Sequence, residues 1–175
     1  YRHLIENVGD SELHYVLYHI PQNTYVPISF KTIETLLKLY PNNIVGLKDS
    51  SGDGERMMKV IKYFNNFSVF CGHDSLALSI SKRGGAGAIT AGTNACGKLL
   101  SFILKNYKNE NSIKNFNELQ SLLEKIRQVI TTHEPISLMK AYFSIVDNIS
   151  EWNNVLPPLK KIDDPENHKL VLILK

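Results

Sequence analysis

The sequence predicts an α/β protein built on parallel strands. Short apolar or β-rich runs alternate with segments whose apolar residues recur at helical spacing. The order is β-α-β-α-β-α-β-α, with strand starts roughly 20–30 residues apart, room for the crossover helix that a parallel pair requires. The run Ile44-Val45-Gly46-Leu47 is continuously apolar, as in a strand covered on both faces.

Residues 1–8 read as the end of a helix stopped at Gly9-Asp10, a C-cap and turn signal. The chain opens on Tyr1, inside that helix, so it reads as joined in the middle, with an N-terminal portion expected before it. Leu13 to Ile20 is rich in β-formers and reads as the first strand, ended by Pro21. A polar loop is expected at Gln22-Asn23-Thr24. Ser29 then caps a helix carrying Ile33, Leu36, Leu37 and Tyr40 on one face, and Pro41-Asn42-Asn43 breaks it. Ile44–Lys48 is the second strand. After the Asp49–Gly54 turn, a helix places Met57, Val60, Ile61 and Phe64 together, ending at Asn65-Asn66.

Phe67 to Cys71 is the third strand, with Gly72-His73-Asp74 as its exit loop. Asp74 or Ser75 is expected to cap a short helix through Leu76, Leu78 and Ile80. Gly84-Gly85-Ala86-Gly87 leads into a fourth strand of small residues, Ala88 to Gly92, such as fit where something approaches the backbone closely. Residues 95–107 form a further helix. Ser112 is expected to open a long amphipathic helix through Ile130. His133-Glu134-Pro135 follows, with Pro135 suited to the first turn of a helix running from Ile136 to Ile149. Pro157-Pro158 and a charged segment precede an apolar run, Leu170–Leu174, of undetermined state.

Composition narrows the function. The net charge is +3 with scattered Lys and Arg, so neither nucleic acid nor a membrane surface is expected as a partner. No apolar run approaches the roughly 20 residues of a membrane-spanning helix, and no signal peptide is visible. Cys71 and Cys96 sit in apolar contexts without a disulfide framework, which suggests a reducing compartment. The six histidines show no ligand spacing, so no metal is expected. The Gly84–Gly87 run precedes a strand and lacks a Walker lysine, against a phosphate loop.

Right-handed crossovers point all four strands the same way, so their C-terminal ends share one edge. Tyr18, Lys48, Gly72 and the Ile89–Gly92 segment meet there, and chemistry collects at that edge in open α/β sheets and in barrels. A lysine amine beside a low-dielectric pocket is a nucleophile toward carbonyls. The alternative is a side chain that snorkels from the strand end to solvent. His19 points to the side opposite Tyr18 and reads as a packing residue. His73-Asp74 could form an acid/base pair, with Asp74 as a helix cap the commoner arrangement. Asp49 and Asp53 flank turns and read as solvated caps.

Tyr18-His19-Ile20-Pro21, Gly46-Leu47-Lys48-Asp49-Ser50-Ser51-Gly52-Asp53 and Gly84-Gly85-Ala86-Gly87-Ala88-Ile89-Thr90, with Leu156-Pro157-Pro158-Leu159 near the end, resemble the dihydrodipicolinate synthase / N-acetylneuraminate lyase family. The resemblance covers nearly the whole chain. It implies the C-terminal half of a (β/α)8 TIM barrel, strands 5 to 8, over residues 1–110, and a C-terminal helical extension over 111–175. The first four strands, with the loop that holds the substrate carboxylate, would lie outside the sequence.

The resemblance further implies that Lys48 is the Schiff-base lysine and Tyr18 the catalytic tyrosine. Ile89 would lend its backbone carbonyl to the pocket, and Gly72 would line its mouth. The substrate would be a small 2-oxo acid, no metal or organic cofactor would be needed, and the protein would be a cytoplasmic homo-oligomer, dimer or tetramer. Dihydrodipicolinate synthases commonly carry an arginine two residues after the motif proline. Here that position is Asn23, which cannot form a bidentate ion pair with a second carboxylate. Asn23 with Lys48-Asp49-Ser50 is closer to 4-hydroxy-2-oxoglutarate and 2-keto-3-deoxy acid aldolases. A class I aldolase or lyase that releases or condenses pyruvate is therefore expected. The synthase of lysine biosynthesis and a non-catalytic 2-oxo acid sensor are the alternatives.

Overall fold

The computed structural model of the chain describes residues 1–131, 134–165 and 172–173. They form two compact units, residues 1–89 and 90–175.

The first unit is the predicted alternation. Helix α1 (Arg2–Val8) stops at Gly9, which takes the left-handed conformation and donates its N–H to the Ile5 carbonyl. Strand β1 (Tyr15–His19) follows, then α2 (Pro21–Thr24), α3 (Phe30–Leu39), β2 (Ile44–Asp49), α4 (Gly54–Tyr63), β3 (Ser68–Cys71), α5 (Asp74–Ser81) and β4 (Gly87–Ala88). The strands pair in chain order and every pair is parallel. Ser29 caps α3 as expected, its Oγ accepting the Thr32 N–H at 3.0 Å. Asp53 caps α4, its carboxylate accepting the Arg56 N–H at 2.9 Å.

Three local expectations are corrected. Residues 22–24 are not a loop but part of the single helical turn α2, because Pro21 supplies a helical φ at its first position. Tyr25, left-handed at φ 55°, ends that turn. Asp74 is the first residue inside α5, and His73 occupies the cap position. The fourth strand has two residues instead of five. Gly84 and Gly87 hold φ values of 96° and 149°, so the chain turns into and out of the ladder there. Pairing ends with the Ile89 N–H on the Cys71 carbonyl at 2.9 Å.

Alternation along the strands separates two faces. Leu17, Leu47 and Val69 pack with Ile33 and Leu36 of α3, Met57 and Val60 of α4 and Ile80 of α5, all buried. His19, Asp49 and Cys71 lie on this same covered face. Val16, Tyr18, Gly46, Lys48, Ser68 and Phe70 line the other, where Val16 and Tyr18 are exposed.

The second unit is helical. It contains α6 (Thr93–Asn106), a 3₁₀ segment (Tyr107–Ser112), α7 (Phe116–Thr131), α8 (Pro135–Val146) and a 3₁₀ turn (Ser150–Asn153). α6 is broken at Cys96, whose φ of −125° is not helical. Ser112 does not open the long helix. It ends the 3₁₀ segment, and Asn115 at φ 63° separates it from α7. Pro135 is in the first turn of α8, and the Glu134 carboxylate caps it by accepting the Ser137 N–H at 2.6 Å. α8 stops at Val146 instead of Ile149, where Asn148 turns left-handed. Leu100, Ile103, Phe116, Leu123, Ile126, Ile130 and Leu138 are buried. His133, His168 and, apart from residues 172–173, the Leu170–Leu174 run lie outside the described residues. Among the described residues no helix is long and apolar enough to cross a membrane.

Gly46 shows how tightly β2 and β3 pair. A Cβ there would overlap the Ser68 carbonyl oxygen and lie 3.1 Å from the Ser68 Cβ. Gly46→Ala should cost about 1–3 kcal/mol, as overpacking against backbone does. Gly54→Ala, whose Cβ meets nothing nearer than Leu76 at 3.9 Å, should be neutral or stabilising. Denaturant midpoints of the two variants test the contrast.

Candidate functional site

The β1–β2 register sets Tyr18 opposite Lys48 and His19 opposite Asp49. Two neighbouring positions on each strand therefore send one residue to the open face and one to the core. On the open face the Lys48 Nζ lies over the Tyr18 ring, 4.1 Å from its centroid. Lys48 is partly buried, and Phe70 is its register partner on β3. Ser50, just past the strand, is buried and donates its hydroxyl to the Tyr18 oxygen at 3.4 Å. Burial pushes the Tyr18 phenol up. The Ser50 hydrogen bond, then the Lys48 hydrogen bond and charge, outweigh it and leave the phenol below the ordinary tyrosine value. A phenol so placed gives up its proton more readily than a free tyrosine.

Ser50 is held from both sides. Its carbonyl accepts the Gln22 Nε2 at 2.8 Å, which draws α2 onto the strand ends. Its side chain fills the space beside Gly72, where a Cβ would collide with the Ser50 Oγ and lie 2.8 Å from the Asp49 carbonyl oxygen. Gly72 thus gives room to Ser50, a packing reason for glycine at this position. Asn23 is exposed on α2, next to the Gln22 that anchors it. Ile89, beyond β4, has an exposed side chain. Lys48 and Ser50 both contact Tyr18, while Asn23, Gly72 and Ile89 sit on the connections that follow β1, β3 and β4 at the same C-terminal edge.

Behind this edge lies a buried polar cluster. Asp49 is fully buried rather than a solvated cap. Its carboxylate accepts the Arg56 Nη1 at 2.5 Å, the Ser51 N–H at 2.9 Å and the Ser51 hydroxyl at 2.6 Å. Arg56 also donates Nη2 to the Ile28 carbonyl at 2.5 Å. The Ile28 N–H donates to the His19 Nδ1 at 3.1 Å, so His19 carries its proton on Nε2. His19 is the packing residue that strand alternation predicts. Ser50 and Arg56 were not anticipated as neighbours of the site. The usable signal is Arg56 in the first turn of a helix capped by Asp53, where its side chain can fold back over the strand end. Among the described residues no group of three His, Cys, Asp or Glu could hold a metal ion.

Burial, and then the Arg56 charge, lower the proton affinity of His19 against the opposing pull of Asp49 and Asp53. A histidine with a depressed folded pKa gives stability that is full above its unfolded value, about 6.5, and is lost as pH falls through the folded value. Denaturant midpoints should therefore drop as pH is lowered from 7.5 to 5. His19→Asn, which keeps an acceptor for Ile28 but cannot titrate, should flatten that part of the profile. An unchanged slope would contradict the assignment.

Comparison with known proteins follows from this geometry. The model of the Dihydrodipicolinate synthetase family matches residues 1–175. An uncharacterized DapA-like lyase of Chloroflexus aurantiacus is 32% identical over 144 residues, 82% of this chain and 47% of that protein. A 4-hydroxy-tetrahydrodipicolinate synthase of Listeria innocua is 32% identical over 136 residues, 77% of this chain and 46% of that one. The chain thus spans about half the length of the curated relatives it matches. Among solved structures, YagE of E. coli K12, in complex with pyruvate, aligns over 99% of this chain and 59% of its own with a TM-score of 0.79 at 24% identity. N-acetylneuraminate lyase of Fusobacterium nucleatum aligns over 99% and 56% with a TM-score of 0.77 at 22% identity. These likenesses establish the α/β fold with its parallel sheet.

Proposed function

The chain belongs to the dihydrodipicolinate synthetase family, and on that premise we propose that it carries the reactive pair of a class I aldolase or lyase acting on a 2-oxo acid such as pyruvate. The observation that supports this most directly is the Lys48 Nζ held 4.1 Å from the Tyr18 ring centroid at the C-terminal edge of the sheet. Lys48, as the neutral amine, attacks the C2 carbonyl of the 2-oxo acid and water leaves to give an imine. The protonated imine at C2 takes up the electron pair of the C3–C4 bond as that bond breaks, leaving an enamine between C2 and C3. In this direction the Tyr18 phenolate receives the hydroxyl proton of the departing portion, which leaves as an aldehyde, and in condensation the phenol returns that proton. The Ser50 hydroxyl stabilises the phenolate that results. No metal or organic cofactor enters these steps.

Asn23 favours an aldolase over the synthase, because an amide cannot clamp a second carboxylate as a guanidinium does. The name of the Listeria innocua relative favours the synthase, which stands as the second reading. The motif order supports assigning the four strands to positions five to eight of an eight-stranded barrel, with residues 1–110 in the barrel and 111–175 as its helical extension. The same reading makes Ile89 and Gly72 lining residues and the whole protein a cytoplasmic homo-oligomer.

Borohydride reduction in the presence of pyruvate, followed by peptide mapping, tests the reading. The adduct should fall on Lys48 and vanish in Lys48→Arg, whose guanidinium cannot form the imine. Tyr18→Phe should lower turnover by about 10²–10⁴-fold, the usual worth of a positioned acid/base group. Cleavage of 4-hydroxy-2-oxoglutarate or keto-deoxy sugar acids should exceed reaction with aspartate semialdehyde. Pyruvate binding without turnover of any of these would leave a sensor instead of an enzyme, and no adduct on Lys48 would overturn the proposal.

A further inference from the structure

Lys48 and Asp49 are consecutive in β2 yet face opposite sides, so the lysine at the reactive edge is not the partner of the carboxylate beside it. Asp49 is paired instead with Arg56, from the first turn of α4. The same guanidinium holds the Ile28 carbonyl, and His19 holds the Ile28 N–H. Both peptide groups of one residue are thus tied to the residues that directly follow Tyr18 and Lys48. The two strand ends are also joined by the Ser50 N–H on the His19 carbonyl, and β2 to β3 by the Gly72 N–H on the Asp49 carbonyl, each at 2.8 Å.

We propose that Arg56, acting through its buried pair with Asp49 and its bond to Ile28, is a positioning residue that fixes the separation of Lys48 and Tyr18. The proposal rests on the Schiff-base reading for its catalytic meaning. Its geometric content is independent of it. A shift of Asp49 is carried to Lys48 through one peptide unit, and a shift of Ile28 is carried through His19 to Tyr18. A lysine at position 56 keeps the charge but has no planar fork to reach two acceptors at once. Misplacing reacting groups by about 1 Å costs on the order of 10²-fold in rate.

The test uses the intact protein with Arg56→Lys and with the paired change Asp49→Leu/Arg56→Met, in which apolar side chains replace the ion pair without leaving a buried charge. Two readouts are taken on protein that melts cooperatively. One is the rate of borohydride-trappable imine formation with pyruvate. The other is the pH titration of Tyr18, followed by NMR of ¹³Cζ-labelled tyrosine and assigned with Tyr18→Phe. The expected result is imine formation slowed at least 10-fold, toward roughly 10²-fold, with the Tyr18 titration moved upward as Lys48 leaves its ring. A purely structural role predicts a lower melting temperature with both readouts unchanged, and that result would overturn the proposal. Where Arg56→Lys fails to fold, the paired variant decides by the same measurements. Where the parent protein forms no imine, the Schiff-base reading fails, and the Tyr18 titration alone decides the positioning role: moved, it stands; unmoved, it falls.

Discussion

The parallel register of β1 on β2 is the constraint on which the rest depends. Because side chains alternate across a strand, a register that pairs Tyr18 with Lys48 must also pair His19 with Asp49. The open face then receives an amine and a phenol, and the covered face an imidazole and a carboxylate. A slip by one residue would put Lys48 among Leu47's neighbours and Asp49 outside. The charges at the strand end therefore specify register as firmly as the apolar residues do.

The covered side carries an energetic burden. A carboxylate with no solvent exposure loses its hydration, and its attraction to Arg56 offsets that loss only with good geometry and its other lone pairs filled. Both conditions are met. Ser51 supplies an N–H and a hydroxyl to the same carboxylate. Arg56 has its second nitrogen on Ile28 and its guanidinium carbon 5.8 Å from the Phe30 ring centroid. Ion pairs so buried add little net stability compared with apolar substitutes. What this one supplies is a tie, since Asp49 of β2, Arg56 of α4 and Ile28 in the segment before α3 are joined through a single guanidinium.

Much of the fold was legible in the sequence because it depends on short-range chemistry. Gly9, Ser29 and Asp53 mark helix ends by local backbone preferences, and all three act as read. The parallel order followed from alternation and spacing. Lys48 and Tyr18 were legible as neighbours because both lie near the C-terminal ends of consecutive parallel strands. The errors share a different cause. Asp49 reads as a turn residue because nothing within four positions reveals that Arg56 will fold back across it. The shortened β4 and the late start of α7 depend on positive φ at Gly87 and Asn115, backbone states that composition permits without requiring. Ser50 was invisible as a partner of Tyr18, since the two are 32 residues apart and meet only after pairing.

Ser50 also shows why the edge behaves as one unit instead of four separate loops. Its hydroxyl reaches Tyr18 of β1, its carbonyl is held by Gln22 of α2, and its side chain stands where any residue larger than glycine at position 72 would sit. A larger residue at position 72 would push Ser50 away from the phenol and loosen the hydrogen bond that holds α2. Asn23 is the next residue along α2, so its position is anchored through the same serine whose hydrogen bond lowers the Tyr18 phenol. The placement of Asn23 and the proton affinity of Tyr18 are consequently linked through a single residue. Changes at position 23 leave that linkage intact and loss of the Ser50 hydroxyl removes only its Tyr18 side, whereas a side chain at position 72 displaces Ser50 itself and disturbs both at once.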